Sequence, residues 1–192
     1  MPIVPILTEI RACTTCALYL PHGVRPLLAA SPKSRILLIG QAPGRVAHAS
    51  GIPWSDRSGD RLREWLGISN ETFYDADKVA IVPMGFCYPG TGKQGDLPPR
   101  PECAPQWHPL LLPQLRNIKL TIYLGRYAWE HHLGNEYPGL TEAAADFANL
   151  LPTRIVLPHP SPRNQMWIKR NPWFPAGLLP SLQKRVRKTL EP

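Results

Sequence analysis

The sequence has no long apolar segment and no leader pattern. No run of about eighteen apolar residues occurs in its 192 positions, so no segment is expected to span a membrane. The stretch up to Tyr19 has no basic region followed by an apolar one, which is the pattern of a secretory signal. We therefore expect a cytoplasmic protein.

Long uninterrupted elements are also excluded. Proline accounts for 24 of the 192 residues, which is typical of stiff loops and short elements and argues against a coiled coil or helix bundle. Hydrophobic residues make up 43% and charged residues 19%, as in a globular protein. The length fits one domain over residues 1–192, with enough apolar material for a core without a partner subunit. We expect a monomer.

Acidic residues are scarce relative to basic ones. Asp and Glu number 14 against 22 Lys and Arg, a net charge of +8. Residues 152–192 contain eight basic residues and one acid. Such one-sided charge suits a polyanion, nucleic acid before membrane, although a solvated basic helix has the same signature.

Short continuous apolar runs predict strands covered on both faces. The predicted strands are 35–39, 79–83, 120–124 and 154–158. Helical patterns lie at 58–66 (capped by Ser58 and stopped by Gly67), at 127–133, less clearly at 106–115, and at 178–190. The alternation predicts an α/β fold, a three-layer sandwich with a central, mainly parallel four-stranded sheet.

This fold predicts where a ligand binds. In open parallel sheets the crevice lies beyond the carboxyl ends of the strands. The loops that follow the predicted strands begin with residues 40–44, 84–87, 125–126 and 159–164. Residues 88–105, rich in Gly and Pro, are expected to form one long ordered loop.

The four cysteines are Cys13, Cys16, Cys87 and Cys103. Disulfides are rare in cytoplasmic proteins, and four thiolates are a complete set for zinc or for an iron–sulfur cluster. Zinc ribbons usually bring two close C-x2-C pairs, whereas the second pair here is widely spaced. Four unrelated cysteines remain a third interpretation.

Three short segments of the chain match motifs of a known family. Gly-Gln-Ala-Pro-Gly at residues 40–44 is followed, after six residues, by Gly-Ile-Pro-Trp at 51–54, and His-Pro-Ser-Pro occupies 159–162. In this order and at these strand ends, the segments resemble the two active-site motifs of the uracil-DNA glycosylase superfamily. Residues 123–126 are similar to its third-strand turn.

The cysteine spacing resembles the [4Fe-4S] branches, families four and five. Residues 56–60 also look like a family-five segment, and residues 163–164 resemble the single-strand-selective branch. The resemblance implies a structural [4Fe-4S] cluster held by Cys13, Cys16, Cys87 and Cys103, with zinc as the alternative.

Departures from the motifs leave the preferred base open. Ala42 stands where family one has an aspartate, and residues 45–48 contain none of the acids of family four. The uracil-reading asparagine of families one and four falls near Pro83. The expected substrate is therefore DNA containing uracil or another deaminated base.

The resemblance implies a glycosylase of base excision repair that flips the damaged nucleotide out and hydrolyses its N-glycosidic bond. His159 is the expected hydrogen-bond donor to the departing base, and Asp56 the expected positioner of water and charge partner of the sugar. His48 is the second candidate for the water, and Gln94 and Asp96 in the long loop stay open. Asp60 is read as a first-turn helix acid.

The other expected contacts fall into two groups. The first group contacts the flipped base: Trp54 is its predicted floor, and the turn after the first strand contacts it as well. The members of this group are Gly40, Gln41, Ala42 and Trp54. The second group is expected to contact the DNA backbone or to enter the gap left by the base, with Trp167 adding an aromatic surface. Its members are Ser161, Pro162, Arg163, Asn164, Lys169 and Arg170. These contacts predict nucleoid association.

Three alternatives stay open. The chain could be a catalytically weak or inactive module of the same fold that binds lesion DNA, a possibility raised by the missing acids. A covalent suicide enzyme is disfavoured because its basic signature is not found before His159. A zinc-ribbon nucleic-acid binder belongs to a different class.

Overall fold

The computed structural model describes residues 3–93, 95–134 and 136–191. The strands in this part of the chain are β1 Ile36–Ile39, β2 Val79–Ile81, β3 Thr91–Gly92, β4 Gly95–Asp96, β5 Leu120–Leu124 and β6 Arg154–Leu157. The helices are α1 Ile3–Arg11, α2 Arg45–Ser50, α3 Arg57–Leu66, α4 Asn70–Tyr74, α5 Cys103–Leu111, α6 Arg126–Leu133, α7 Leu140–Ala145, α8 Phe147–Leu150, α9 Gln165–Arg170 and α10 Leu179–Leu190.

The central sheet has the strand order β2-β1-β5-β6, and every neighbouring pair is parallel. In β1, Leu37 and Ile39 pack into the apolar cluster that contains residues of α1, α5 and α6. Ile36 and Leu38 face the opposite cluster, which contains residues of α3 and α10. Helices therefore cover both faces of the sheet, and the predicted α/β sandwich is confirmed.

The structure departs from the sequence prediction most clearly in three places. The cap of α3 is Asp56, whose side chain accepts the Gly59 N–H at 3.0 Å, and Ser58 lies inside the first turn. Helix α5 begins and ends earlier than predicted, and a 3₁₀ turn follows it at Leu112–Gln114. Residues 88–105 are not one loop, because they contain the β3–β4 hairpin and the start of α5.

Part of the C-terminal positive charge has a structural role. In α10, Leu182 and Val186 are buried against the sheet. The Arg185 guanidinium donates to the carbonyl oxygens of Pro152, at 2.7 Å, and Lys119, at 3.0 Å. These contacts lie at the amino ends of β5 and β6, so this part of the basic stretch is remote from the predicted crevice.

Helix α3 packs very closely on the segment that precedes it. A methyl group on buried Gly59 would lie 1.8 Å from the carbonyl oxygen of Trp54. Trp54 itself has a left-handed backbone, with φ of 58°. The sequence Trp-Ser-Asp-Arg-Ser-Gly therefore folds into a turn that only glycine at position 59 can complete.

We predict that Gly59→Ala lowers the free energy of unfolding by about 1–3 kcal/mol, because the added methyl overlaps backbone that has little room to move. The matched control is Gly177→Ala, where the new methyl would meet Phe147 at an ordinary 3.6 Å. Urea unfolding of both variants measures the effect. Equal stability of Gly59→Ala and the wild-type protein would contradict the packing described.

Candidate active site

A cavity of about 520 Å³ opens beyond the carboxyl ends of the central strands. Its volume lies within the range of about 300–1,000 Å³ that is usual for small-molecule sites. It is bordered by the turn after β1, the Trp54 segment, the β3–β4 hairpin and the loop after β6. The two motif-bearing turns thus meet, as the sequence predicts.

The turn after β1 is fixed by backbone hydrogen bonds. The carbonyl oxygens of Gly40 and Gln41 accept the N–H groups of Met84 and Gly85 at 2.8 and 2.9 Å. The Gln41 amide nitrogen donates to the Leu97 carbonyl at 2.9 Å. This turn, Ala42 included, lines the cavity as a rigid edge.

Trp54 forms one wall of the cavity. A methyl group on Gly40 would lie 3.0 Å from its indole ring, so glycine lets the ring lie directly on the turn. The Trp54 carbonyl oxygen accepts hydrogen bonds from Arg63 at 3.1 Å and from the Tyr74 hydroxyl at 3.2 Å. These contacts hold the left-handed backbone from behind.

His159 lies next to this indole, with ring centroids 5.5 Å apart and planes at 31°. Its carbonyl oxygen accepts the Asn164 side-chain amide at 2.6 Å, which closes the loop after β6. Gly125, directly after β5, has a backbone with a positive φ of 81°, which glycine adopts readily, and lies against His159. Burial lowers the pKa of His159, and the nearby charge of Asp56 partly offsets this.

Two acidic side chains line the cavity in the described part of the chain, Asp56 and Asp96. One oxygen of Asp56 is committed to the cap of α3. Asp96 comes from the β3–β4 hairpin, and burial raises the pKa of its carboxyl. The sequence leaves Asp96 and Gln94 open as candidates, and Gln94 lies outside the described residues.

The predicted backbone-contact residues separate into two sets. Ser161, Arg163 and Asn164 line the cavity. Exposed Pro162, Lys169 and Arg170 lie outside it, on the same loop and on α9.

Two expectations need correction. His48 does not line the cavity, because α2 turns its imidazole toward the His22 carbonyl, at 3.1 Å, and toward the Tyr88 ring. Trp167 does not offer an open stacking surface, since it is partly buried, bonds Thr141 at 2.9 Å and packs on Phe174.

Sequence reasoning missed several cavity residues, among them Tyr127 and Thr91. Tyr127 lines the cavity from the start of α6, and its position directly after the predicted β5 turn was the available signal. Thr91 lines it from β3, and the two-residue strand carries no pattern that could have been recognised.

The four cysteines come together in a separate, mainly apolar cavity. Cys13 and Cys16 follow α1, Cys87 lies in the segment between β2 and β3, and Cys103 begins α5. The Phe86 N–H donates to the Cys103 sulfur at 3.4 Å. Burial raises the pKa of the Cys103 thiol to about 12.

Within the described ranges, no group of three or more His, Cys, Asp or Glu side chains is placed to hold a metal ion.

Comparison with known protein families identifies the superfamily of this chain. The family model described as "Uracil DNA glycosylase superfamily" matches residues 29–183. The chain belongs to that superfamily, whose members are generally DNA glycosylases acting on DNA. The match includes both motif turns and two of the four cysteines, Cys87 and Cys103.

No helix in the described part of the chain combines the length and the apolar character that crossing a bilayer requires.

We predict that His159 titrates below the usual histidine pKa of about 6.5, because burial disfavours the imidazolium. The Asp56 charge raises the pKa of His159, so Asp56→Asn should lower it further. NMR titration of the imidazole carbons measures both pKa values. Asp77→Asn, at the far edge of the sheet, is the control, and a wild-type midpoint at or above the usual value would contradict the burial described.

Proposed function

We propose that this superfamily member is a monofunctional DNA glycosylase that flips out uracil or another deaminated base and hydrolyses its N-glycosidic bond. The observation that carries the proposal is the placement of Trp54 and His159 on one cavity, 5.5 Å apart. We further propose that it acts as a cytoplasmic monomer on nucleoid DNA.

Recognition begins with extrusion of the nucleotide, which costs a few kcal/mol of stacking and pairing. The indole of Trp54 supplies a flat surface, and stacking on an aromatic ring is worth about 1–3 kcal/mol per base. The turn formed by Gly40, Gln41 and Ala42 lies beside this surface and offers backbone groups to the edge of the base.

Bond cleavage needs stabilisation of charge on the departing base. A neutral imidazole keeps one N–H donor, and burial favours that form of His159. A donor aimed at a developing oxyanion contributes about 3–4 kcal/mol, or two to three decades of rate. His159 is assigned this part.

The sugar acquires positive charge in the same step. Asp56 is close enough to His159 to influence its pKa and has one oxygen beyond the helix cap. We assign it as the negative partner of the oxocarbenium-like sugar.

The loop after β6 and α9 are proposed to hold the DNA strand. Ser161 and Asn164 lie at the cavity and suit a phosphate, while Pro162 and Arg163 suit the gap left by the base. The exposed Lys169 and Arg170 extend the surface along the strand, with contacts that weaken as salt rises.

The test uses labelled oligonucleotides carrying uracil, hypoxanthine or xanthine, as single and double strands. The wild-type protein should produce abasic sites on at least one of them, and His159→Ala should lower the single-turnover rate by about 100–1,000-fold. His131→Ala, an exposed histidine of α6, is the matched control. Alkali cleavage followed by gel electrophoresis measures the product.

Absence of abasic product on every substrate would contradict the proposal. Tight binding of the same oligonucleotides without product would favour the alternative, a lesion-binding module. That alternative is motivated by the lack of an acidic residue in the turn at residues 40–44.

We also propose that Cys13, Cys16, Cys87 and Cys103 hold a [4Fe-4S] cluster. Four thiols bordering one apolar cavity, with the Phe86 N–H directed at a sulfur, fit such a group. When bound, the cluster would cross-link chain segments rather than take part in hydrolysis. It would join the segment after α1 to the ends of the loop that carries the β3–β4 hairpin.

We predict that anaerobically purified protein is brown and contains about four iron atoms and matching sulfide per chain. Cys87→Ser should remove the colour, whereas Thr14→Ser, in the segment between the first two cysteines, should keep it. Iron and sulfide analysis with visible absorption measures this. A colourless protein holding one zinc ion would contradict the assignment.

A further inference from the structure

The turn that carries the first motif has no acid of its own, yet an acid lies beside it. Residues 40–44 contain neither Asp nor Glu. Asp96 reaches the turn from the β3–β4 hairpin, and a methyl group on Gly44 would lie 3.2 Å from its Oδ2. A carboxylate is therefore supplied in space where the motif lacks one in sequence.

A hydrogen-bond relay orients this carboxylate. Asp96 pairs with Thr91 across the hairpin, and the Thr91 hydroxyl bonds its side chain. The Thr91 oxygen lies 2.5 Å from the hydroxyl of Tyr88, a fully buried residue. Because Thr91 has one hydroxyl hydrogen, donating it to Asp96 leaves Tyr88 as the donor in the Tyr88–Thr91 hydrogen bond.

Asp96 has charged groups of both signs around it. Arg163, from the loop after β6, and Arg45, from α2, favour the ionised carboxyl. Burial and the charge of Asp56 oppose ionisation, and burial is the largest effect, so the pKa of Asp96 is raised overall. A carboxyl with a raised pKa is a stronger base than an ordinary surface aspartate.

We propose that Asp96 positions the attacking water and takes its proton. The water oxygen bonds to C1′ of the sugar while the C1′–N bond breaks, and that electron pair leaves with the base as an anion beside His159. The water proton passes to the Asp96 carboxylate and then to solvent, from which the base anion is protonated. The inference rests on the proposed glycosylase function.

This division gives the two cavity acids different parts. Asp56 has one oxygen in the helix cap and is held near His159, which suits a fixed negative charge. Asp96 lies on a short hairpin and is held by the side chains of Thr91 and Tyr88, which suits a group that accepts and releases a proton.

The test is the single-turnover rate of Asp96→Asn on the substrate that the wild-type protein cleaves best. We expect a loss of about 100-fold or more, the size of a general-base contribution, with lesion-oligonucleotide affinity retained. Asp77→Asn changes the net charge equally at the amino ends of the strands and should keep the full rate. Retained affinity shows that the Asp96 variant is folded.

A second variant tests the proton transfer itself. The Thr91 hydrogen bond lowers the pKa of Asp96, so Thr91→Val should raise it and move the acid limb of the pH–rate profile to higher pH. In Asp96→Asn that limb should disappear.

The outcomes separate the two claims. Full activity of Asp96→Asn, or an acid limb unchanged in both variants, would overturn the role of Asp96 and leave the glycosylase function standing. A wild-type protein that releases no base from any substrate would overturn both.

Discussion

The site depends on the backbone of Trp54. A non-glycine residue with a positive φ costs on the order of 1–3 kcal/mol, and such strain persists only where the surroundings impose it. Here Arg63 and Tyr74 hold the carbonyl oxygen, while Gly59 lets α3 pack directly beneath it. Arg63 is buried and also pairs with Asp60, so this arginine is a structural support rather than a DNA contact. The outcome is an indole fixed on the turn after β1, facing the histidine that follows β6.

The hairpin connects the cavity that contains Trp54 and His159 to the cysteine cavity. It lies between Cys87 and Cys103, so one chain segment borders both places. Tyr88 follows Cys87 directly and begins the relay to Asp96. If a cluster holds both ends of this segment, its structural contribution reaches the Asp96 carboxylate through Tyr88 and Thr91. This arrangement explains how a chain without an acid in its first motif turn could keep a carboxylate beside that turn.

The sequence was most informative where the fold repeats a simple pattern. Continuous apolar runs predicted all four strands of the central sheet, and the chain order of the motifs placed Trp54 and His159 at one edge, because parallel strands end together. Prediction failed where single side-chain contacts decide. Serine is a common helix-capping residue, which is why the sequence predicts Ser58 as the cap. The residue with the extended backbone that a cap requires is Asp56. His48 follows the motif turn, yet the pitch of α2 directs it away from the cavity. The strands of the hairpin are two residues long each and contain Thr91, two glycines and Asp96. Strands this short have no periodic pattern from which they could be predicted.

The central claim is that an extruded base occupies the space between the indole and the imidazole. A crystal structure of the protein bound to DNA that carries a non-hydrolysable deoxyuridine analogue tests it most directly. The account predicts the base stacked on Trp54, with one of its oxygens about 3 Å from a His159 ring nitrogen. A base that remains in the duplex, or that is bound away from both rings, would contradict it.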